Sequence, residues 1–440
     1  MTKIKSIIIF FGDVLLLYGA LALTLILRYG PSLFRESFIS HSKPFSVIFI
    51  VWLMVFYLAD LYQIRKLKGK EGLIYSLALA IVISVAVSIA LFYLFDTFFQ
   101  LTPKTNLAIF SFIFLILTYG WRLLMLKVFI ASGWRLKILL VGGSPTISEI
   151  FSHLQKNPQL GYDIVFWLKE NAENKNGQLR EIIIKNKIDI IVIPSHFFRT
   201  NTSFAKFIYR LLPLKIQVID CVQFSEDIFQ KIPLEELEES WFVERIITRR
   251  RFYDVFKRFF DVMVALILMI ALSPIMLIIA LAIKLSSPGP IIYKQKRMGQ
   301  DNKIFTLYKF RTMQNENNGP LWTLEKDKRQ TSIGKLLRRT HLDEIPQLYN
   351  ILRGNISFIG PRAERIELAE QYQKIPYYEI RHIIKPGLTG WAQINYRPSA
   401  SLEEAYEKFK YDLYYIKNRS IFLDLLIVLK TIKYIFLSHQ

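Results

Sequence analysis

The chain has 440 residues, of which 52% are hydrophobic and 14% are aromatic. This length allows two or three domains, and so apolar a composition excludes a wholly soluble protein. The formal net charge of +21 predicts an anionic partner, and the long apolar runs favour membrane lipids or phosphorylated small molecules over nucleic acid. A single cysteine, Cys221, excludes an internal disulfide framework and a cysteine-based zinc site.

Four long apolar runs at the start of the chain predict transmembrane helices. Each is close to the ~20 residues needed to cross the hydrocarbon core. They cover residues 7–27, 45–61, 73–95 and 107–130. Because only short loops join them, residues 1–134 are predicted to form a four-helix transmembrane bundle. Lysine and arginine are concentrated at the amino end and at 65–70, which predicts that both ends of the bundle lie in the cytoplasm.

A different pattern begins at residue 137, where short apolar runs alternate with polar helical stretches. This pattern predicts a Rossmann-like α/β middle domain over residues 135–235. Its first turn departs from the G-x-G-x-x-G pattern, because Ser144 replaces the second glycine and Ile147 the third. Those glycines let a pyrophosphate approach the backbone, so the domain is predicted to pack or regulate without binding a dinucleotide. A charged linker is predicted over residues 236–252.

A fifth apolar run, residues 262–283, is also long enough to cross the membrane. A fifth crossing would export the charged region that follows it. In the middle of the run, Pro274 removes a helix hydrogen bond and the hydroxyl of Ser273 can satisfy the freed carbonyl. We therefore predict a broken, re-entrant helix over residues 256–285, with a proline-kinked transmembrane helix as the alternative. The charged anchor at its entry is predicted to consist of Lys257, Arg258 and Asp261.

The stretch at residues 338–362 concentrates acidic and basic side chains. Two adjacent carboxylates, Asp343 and Glu344, are preceded by Arg338 and followed by Arg362. Adjacent carboxylates repel each other unless a cation lies between them, and arginine offers a planar fork of donors that suits phosphate oxygens. The combination predicts a divalent metal and a phosphorylated substrate. The alternative is a solvated, charged turn.

Six motifs follow one another in order through the last part of the chain. They are KRFFD at 257–261, SP at 273–274, YKFRTM at 308–313, LDE at 342–344, ISFIGPR at 356–362 and KPGLTGWAQINYR at 385–397. Together they resemble the bacterial sugar transferase family, the polyprenyl-phosphate hexose-1-phosphate transferases, which are monotopic phosphoglycosyl transferases. The chain departs from the family pattern at Ala363, where proline is usual, and at His341, where a small polar residue is common. Neither departure removes a charged group.

The resemblance implies a monotopic catalytic domain over residues 253–440 of a bacterial inner-membrane protein, on the cytoplasmic face. This domain is expected to transfer a sugar 1-phosphate from a UDP-sugar to undecaprenyl phosphate, with Mg²⁺ as cofactor, and so to initiate capsule, O-antigen or exopolysaccharide synthesis. Asp343 is expected to attack the β-phosphate and carry the sugar phosphate as an acyl phosphate, and Asp343 and Glu344 to bind the metal. The substrate is expected to contact a further set: Lys309, Arg311, Arg338, Arg362, Arg381, Lys385 and Asp412.

Two other functions fit parts of the sequence. A membrane-bound nucleotide-sugar dehydratase or epimerase would need an intact glycine fingerprint and a Tyr-x-x-x-Lys pair in the same domain. Tyr406 and Lys410 have that spacing but lie far downstream of the α/β region. A non-catalytic scaffold for polysaccharide assembly is the third hypothesis. The sequence does not identify the sugar, and a homodimer is expected only because two-fold assemblies are common.

Overall fold

The computed structural model describes residues 2–59, 61–62, 70–94, 104–131, 135–169, 176–194, 202–214, 216–246, 250–313, 330–396 and 401–437. The chain divides into two compact units, Met1–Cys221 and Val222–Gln440. Residues 63–69, which hold most of the predicted basic loop, lie outside the described residues, as do residues 247–249 of the predicted linker.

Four long helices begin the first unit. They are α1 (Thr2–Tyr29), α2 (Phe34–Leu58), α3 (Lys70–Leu94) and α4 (Lys104–Ala131). Each contains a segment that is long and apolar enough to cross a membrane. The predicted apolar runs are therefore helices, and most of these helices extend a few residues beyond the run because helix propensity continues into the flanking polar residues.

The four helices share one apolar core. Its largest fully buried side chains include Trp52 of α2 and Phe110 of α4, whose rings meet edge to face at 5.1 Å. A buried ion pair also joins α1 to α4, because the two Nη atoms of Arg122 donate to the two carboxylate oxygens of Asp13 at 2.9 and 2.7 Å. Bidentate geometry of this kind satisfies both charges where water is excluded.

A four-stranded parallel sheet completes the first unit, as the alternating pattern predicts. Its strands are β1 (Leu136–Val141), β2 (Tyr162–Leu168), β3 (Ile190–Ile193) and β4 (Gln217–Asp220), in the order β2-β1-β3-β4. The helices between them are α5 (Pro145–Lys156), α6 (Asn176–Asn186) and α7 (Thr202–Leu211). Ser144 caps α5, since its Oγ accepts a hydrogen bond from the Ile147 amide at 3.4 Å. Capping explains a serine where the dinucleotide pattern has glycine.

The second unit begins earlier than the predicted domain boundary at residue 235. After α8 (Cys221–Phe229) and before α9 (Glu239–Arg245), the Ile232 amide donates to the Lys410 carbonyl at 3.0 Å. The Lys410 ammonium donates to Glu235 at 2.6 Å. Glu235 therefore pairs with a lysine of a later helix, and the end of the predicted middle domain packs on the second unit.

The long apolar helix α10 (Arg251–Ser286) is continuous over 36 residues. The predicted break at Ser273 and Pro274 is therefore wrong as a loss of helical structure, and the re-entrant course of the segment stays a prediction. Pro274 cannot donate to the Ile270 carbonyl, but the Ser273 hydroxyl donates to that carbonyl at 2.8 Å, so the lost hydrogen bond is replaced.

The remainder of the second unit packs against α10. An antiparallel hairpin of β5 (Ile292–Met298) and β6 (Ile304–Phe310) is followed by α11 (Ser332–Arg339) and α12 (Gln347–Arg353). The later elements are β7 (Ser357–Ile359), α13 (Ile366–Tyr372), β8 (Gly387–Thr389), α14 (Trp391–Asn395), α15 (Leu402–Asn418) and α16 (Ile421–Leu437). Residues from both halves of α10, Ala265 before the proline and Ile283 after it, lie in the same buried cluster as the hairpin residues Phe305 and Leu307.

Candidate active site

The two adjacent carboxylates lie in one tight turn, Leu342–Glu344, between α11 and α12. His341 enters the turn with φ +57°, a left-handed conformation that reverses the chain over a single residue. Buried leucines on both sides, Leu337 and Leu348, fix the turn to the core. The backbone therefore holds the carboxylates in place.

Glu344 is held as a carboxylate by two cations. Lys309, on β6, donates from Nζ to Glu344 Oε1 at 2.6 Å, and the Glu344 side chain is 20% exposed. Burial alone would raise the pKa of Glu344, but Lys309 and then Arg362 outweigh it and lower this pKa to about 2. Glu344 is therefore ionised throughout the neutral range.

Asp343 differs from its neighbour in both contacts and basicity. It is 8% exposed, and within the described part of the chain its carboxylate makes no hydrogen bond. Burial raises the pKa of Asp343; Lys309 opposes this rise, while the charge of Glu344 adds to it. Two neighbouring carboxylates with pKa values pushed in opposite directions are typical of an acid–base or nucleophilic site.

A narrow cleft opens beside Glu344. One part of its wall is cationic, with Arg297, Lys309 and Arg362. The rest is apolar or neutral and consists of Leu307, Gln347, Ile356, Ala363, Gly387 and Leu388. Asp343 does not line the cleft, but it is adjacent in sequence to Glu344, which does. The cleft is therefore suited to a ligand that has an anionic group next to a less polar part.

Close packing of two strands brings Arg362 to the cleft. β7 and β8 are parallel, and a Cβ on Gly387 would lie 2.0 Å from the Gly360 amide nitrogen. Only glycine permits this approach, which places the turn containing Arg362 against β8. Arg338 donates from Nε to Thr312 Oγ1 at 2.9 Å, and its charge lowers the pKa of Asp343. The structure thus gathers Lys309, Arg338 and Arg362 around the carboxylates, as the sequence predicts.

Arg297 is a cleft residue that the predicted set lacks. Its guanidinium donates to the Ala363 carbonyl at 2.9 Å and to Gln295 Oε1 at 2.6 Å, whereas its buried Nε has no partner within the described residues. Strand alternation could have found it, because Arg297 pairs with Phe305 and so shares a face with Leu307 and Lys309.

Arg311 occupies a different place from the one predicted. Its Nη2 donates to the carbonyl and hydroxyl of Ser287 at 2.7 and 2.9 Å, and its Nη1 donates to the Pro288 carbonyl at 3.0 Å. The side chain is buried and does not line the cleft. It holds the carboxyl end of α10 to the hairpin because the last carbonyls of a helix lack amide partners.

Arg381 and Asp412 also lie elsewhere than predicted, in a buried ionic cluster. Arg381 donates from Nε to Asp412 Oδ2 at 2.7 Å and from Nη2 to Glu364 Oε1 at 3.4 Å. Lys408 donates to the same Glu364 oxygen at 3.1 Å. Burial alone would raise the pKa of Glu364, but Lys408 and Arg381 outweigh it and lower this pKa to about 2. Glu364 and Arg381 therefore remain charged and hold α15 beneath the site.

We expect Arg381→Met to destabilise the second unit by about 3–5 kcal/mol, because removal of one member leaves buried carboxylates without their cation. The thermal unfolding midpoint of the purified protein measures this effect. Lys374→Met, which removes an exposed lysine, is the matched control. An unchanged midpoint together with a raised KM for a nucleotide sugar would instead assign Arg381 to substrate binding.

The predicted anchor residues at the start of α10 all contact the second unit. Lys257 donates to Asp424 at 2.7 Å, Arg258 donates to the carbonyls of Ile351 and Leu352 at 2.6 and 2.7 Å, and Asp261 accepts from the Phe358 amide at 3.3 Å. Lys385 lies beside Arg258 and is partly buried. It is not among the residues that line the cleft.

No group of three or more His, Cys, Asp or Glu side chains that could hold a metal ion occurs among the described residues. The Asp343–Glu344 pair fits a Mg²⁺ ion that takes one or two carboxylates from the protein and its other ligands from phosphate and water. These two carboxylates can therefore supply only part of the ligands of the predicted Mg²⁺ ion, and a phosphorylated substrate would have to supply others.

Comparison with known proteins finds similarity along much of the chain. The family model described as Bacterial sugar transferase matches residues 252–438. The UDP-N-acetylgalactosamine-undecaprenyl-phosphate N-acetylgalactosaminephosphotransferase of Aeromonas hydrophila is 38% identical over 231 residues, which are 52% of this chain and 54% of that protein.

Two further relatives carry one name, UDP-glucose:undecaprenyl-phosphate glucose-1-phosphate transferase. The protein of Escherichia coli K12 is 44% identical over 181 residues, 40% of this chain and 39% of that protein. The protein of Klebsiella pneumoniae is 32% identical over 318 residues, 67% of each chain. The match thus spans about half or less of the first two relatives and two thirds of the third.

Proposed function

The chain belongs to the bacterial sugar transferase family, and from that premise we propose that it transfers a sugar 1-phosphate from a UDP-sugar to undecaprenyl phosphate. The relatives from Aeromonas and Klebsiella are named for reactions of this type. One observation carries the proposal: Asp343, with a raised pKa and no hydrogen bond within the described residues, adjoins an ionised Glu344 and a cationic cleft.

In the first step we propose that an Asp343 oxygen attacks the β-phosphorus of the UDP-sugar. A bond forms between that oxygen and phosphorus, the bond from phosphorus to the bridging oxygen breaks, and UMP leaves with the electron pair. Lys309, Arg338 and Arg362 surround the carboxylates and can neutralise phosphate charge, which is the main requirement of phosphoryl transfer.

In the second step an oxygen of undecaprenyl phosphate attacks the same phosphorus. The acyl–phosphate bond breaks, Asp343 is regenerated as a carboxylate, and the sugar leaves on a lipid diphosphate. A direct transfer would require one anion to attack another. The carboxylate nucleophile replaces that single step with two easier displacements. Asp343 and Glu344 would hold Mg²⁺. When bound, the ion supplies positive charge that offsets repulsion between the carboxylate and the phosphate.

We propose that α10 enters and leaves the membrane through its cytoplasmic face. Its amino end is held to the second unit through Arg258, and its carboxyl end is held to the same unit by the contact between Ser287 and Arg311. A charged unit bonded to both ends of the helix favours placing both ends on one side of the bilayer, since polar backbone and charged groups are costly in hydrocarbon. The exposed side of α10 is apolar, including Phe259, Ile270 and Leu277.

Cysteine labelling tests this topology. In a Cys221→Ser background, we expect a cysteine at exposed position 374 to react with a membrane-impermeant maleimide only after the cells are permeabilised. A cysteine at exposed position 32, between α1 and α2, should react in intact cells because both ends of the bundle are predicted to be cytoplasmic. Labelling of position 374 from outside intact cells would overturn the re-entrant topology.

The function is tested with the purified protein in detergent and a panel of UDP-sugars. We expect UMP release in proportion to added undecaprenyl phosphate, and loss of activity when EDTA removes Mg²⁺. A changed sugar ring would support the dehydratase hypothesis, and no product with any sugar would support the scaffold. The geometry disfavours Tyr406 and Lys410 as the Tyr-x-x-x-Lys pair of a dehydratase, because Lys410 is engaged with Glu235 and Glu407 at 2.6 and 2.7 Å.

A further inference from the structure

Two cations, Arg258 and Lys385, lie close together outside the cleft. A Cβ built on Gly354 would lie 3.3 Å from Arg258 Nη2 and 3.5 Å from Lys385 Nζ. Gly354 has φ +80° and ends α12, and because it has no side chain the two cations can lie close to its backbone. Arg258 and Lys385 therefore lie close to each other, and an anion could contact both.

The acids near these two cations are engaged elsewhere. Asp254 lies 3.7 Å from Arg419, and Asp261 accepts from the Phe358 amide at 3.3 Å. Within the described residues Lys385 makes no hydrogen bond or ion pair, and burial and then the charge of Arg258 lower the pKa of Lys385. Among the described residues no carboxylate therefore pairs with either cation, although Arg258 also donates to the carbonyls of Ile351 and Leu352, and an anion bound to both cations would relieve their repulsion.

The two cations lie beside apolar surface that suits a lipid. On α10, close to Arg258, the exposed fraction is 80% for Phe252, 71% for Val255 and 60% for Phe259. The nearby helix α16 is tied to the start of α10 through the contact of Asp424 with Lys257 and exposes Phe422 and Leu425. Aromatic and aliphatic side chains beside cations are typical of a surface at the level of lipid phosphates.

We propose that Arg258 and Lys385 bind the phosphate of the lipid acceptor, in a subsite separate from the cleft that receives the UDP-sugar. The proposal rests on the proposed function and names the acceptor side of its site. The water-soluble donor has its own cations at Arg297, Lys309 and Arg362 in the cleft, whereas neither Arg258 nor Lys385 lines it.

The subsite and the cleft adjoin through the backbone. Lys385 is two residues before Gly387, which lines the cleft, so the Cα atoms of these two residues are no more than roughly 7 Å apart. The same backbone segment therefore contributes to the proposed acceptor subsite and to the wall of the cleft, and the polyprenyl chain of the acceptor would remain with the apolar surface of α10.

Lys385→Met tests the proposal by separating the two substrates. In vesicles of fixed phosphatidylglycerol content, we expect the KM for undecaprenyl phosphate to rise about 10- to 100-fold, the range for loss of a charge-assisted hydrogen bond. The KM for the UDP-sugar and the amount of UMP released without acceptor should not change. Lys385→Arg should retain most of the acceptor affinity, and Lys374→Met is the control for removal of an exposed lysine.

Three outcomes would overturn the proposal. A rise only in the KM for the UDP-sugar would assign the cations to the donor. An unchanged KM for the acceptor, with activity that follows the phosphatidylglycerol content, would assign them to ordinary anionic lipid. Unchanged behaviour of a folded Lys385→Met protein would remove the subsite.

If instead the unsubstituted protein released no UMP with any sugar, the proposed function itself would fail. Retention of undecaprenyl phosphate by that protein but not by the Lys385→Met variant would then still test the subsite.

Discussion

Asp343→Asn is expected to lower the rate of sugar-phosphate transfer by about 10³-fold or more while the protein remains folded in the membrane. An amide has nearly the same shape as a carboxylate but is a poor nucleophile toward phosphorus. Asp343 makes no hydrogen bond within the described residues, so its replacement breaks no such contact of the fold. The rate of lipid-dependent UMP release measures the loss, and thermal unfolding measures the fold.

Asp301→Asn is the matched control for this substitution. Asp301 is exposed and has φ +53°, a conformation that asparagine adopts readily. The control should turn over at the rate of the unsubstituted protein. Full activity of Asp343→Asn would contradict a covalent role for this residue and would direct attention to Glu344.

Lys309→Met is expected to reduce turnover by about 10²- to 10³-fold and to move the acidic limb of the pH–rate profile to higher pH. Lys309 lowers the pKa of both Asp343 and Glu344. Without it both pKa values rise, so a larger fraction of each carboxylate is protonated at a given acidic pH. Attack requires ionised Asp343, and activity should therefore be lost at a higher pH than in the unsubstituted protein.

Lys309→Arg separates the charge from the contact. It keeps a cation near both carboxylates, so its acidic limb should stay close to that of the unsubstituted protein even if the rate falls. A profile of Lys309→Met that coincides with the unsubstituted one would show that the ammonium does not control ionisation at the dyad. The pH dependence of kcat/KM is the deciding measurement, since it reports the free enzyme.

The parts of the structure that depend on local pattern were predictable from the sequence. Hydropathy locates the helices of the first unit, and alternating apolar runs locate its parallel strands. The carboxylate pair was also predictable together with Lys309 and Arg362, because short motifs of the sequence contain them. The homodimer stays a prediction.

The parts that depend on distant packing were not predictable. Arg311 and Arg381 have the same charge as Arg362, but they bond to Ser287 and Asp412, which are distant in sequence. Composition does not show which guanidinium is enclosed and which faces solvent. The helix through Pro274 shows the same limit, because the sequence alone does not show whether a proline interrupts a helix or is accommodated within it.

The most direct measurement is the mass of the purified protein after incubation with its UDP-sugar and Mg²⁺ but without lipid. The predicted result is a gain of one sugar phosphate, located by peptide mapping at Asp343, absent from Asp343→Asn and removed when undecaprenyl phosphate is added. A protein that keeps full lipid-dependent turnover but never gains this mass, or gains it at another residue, would contradict transfer through Asp343.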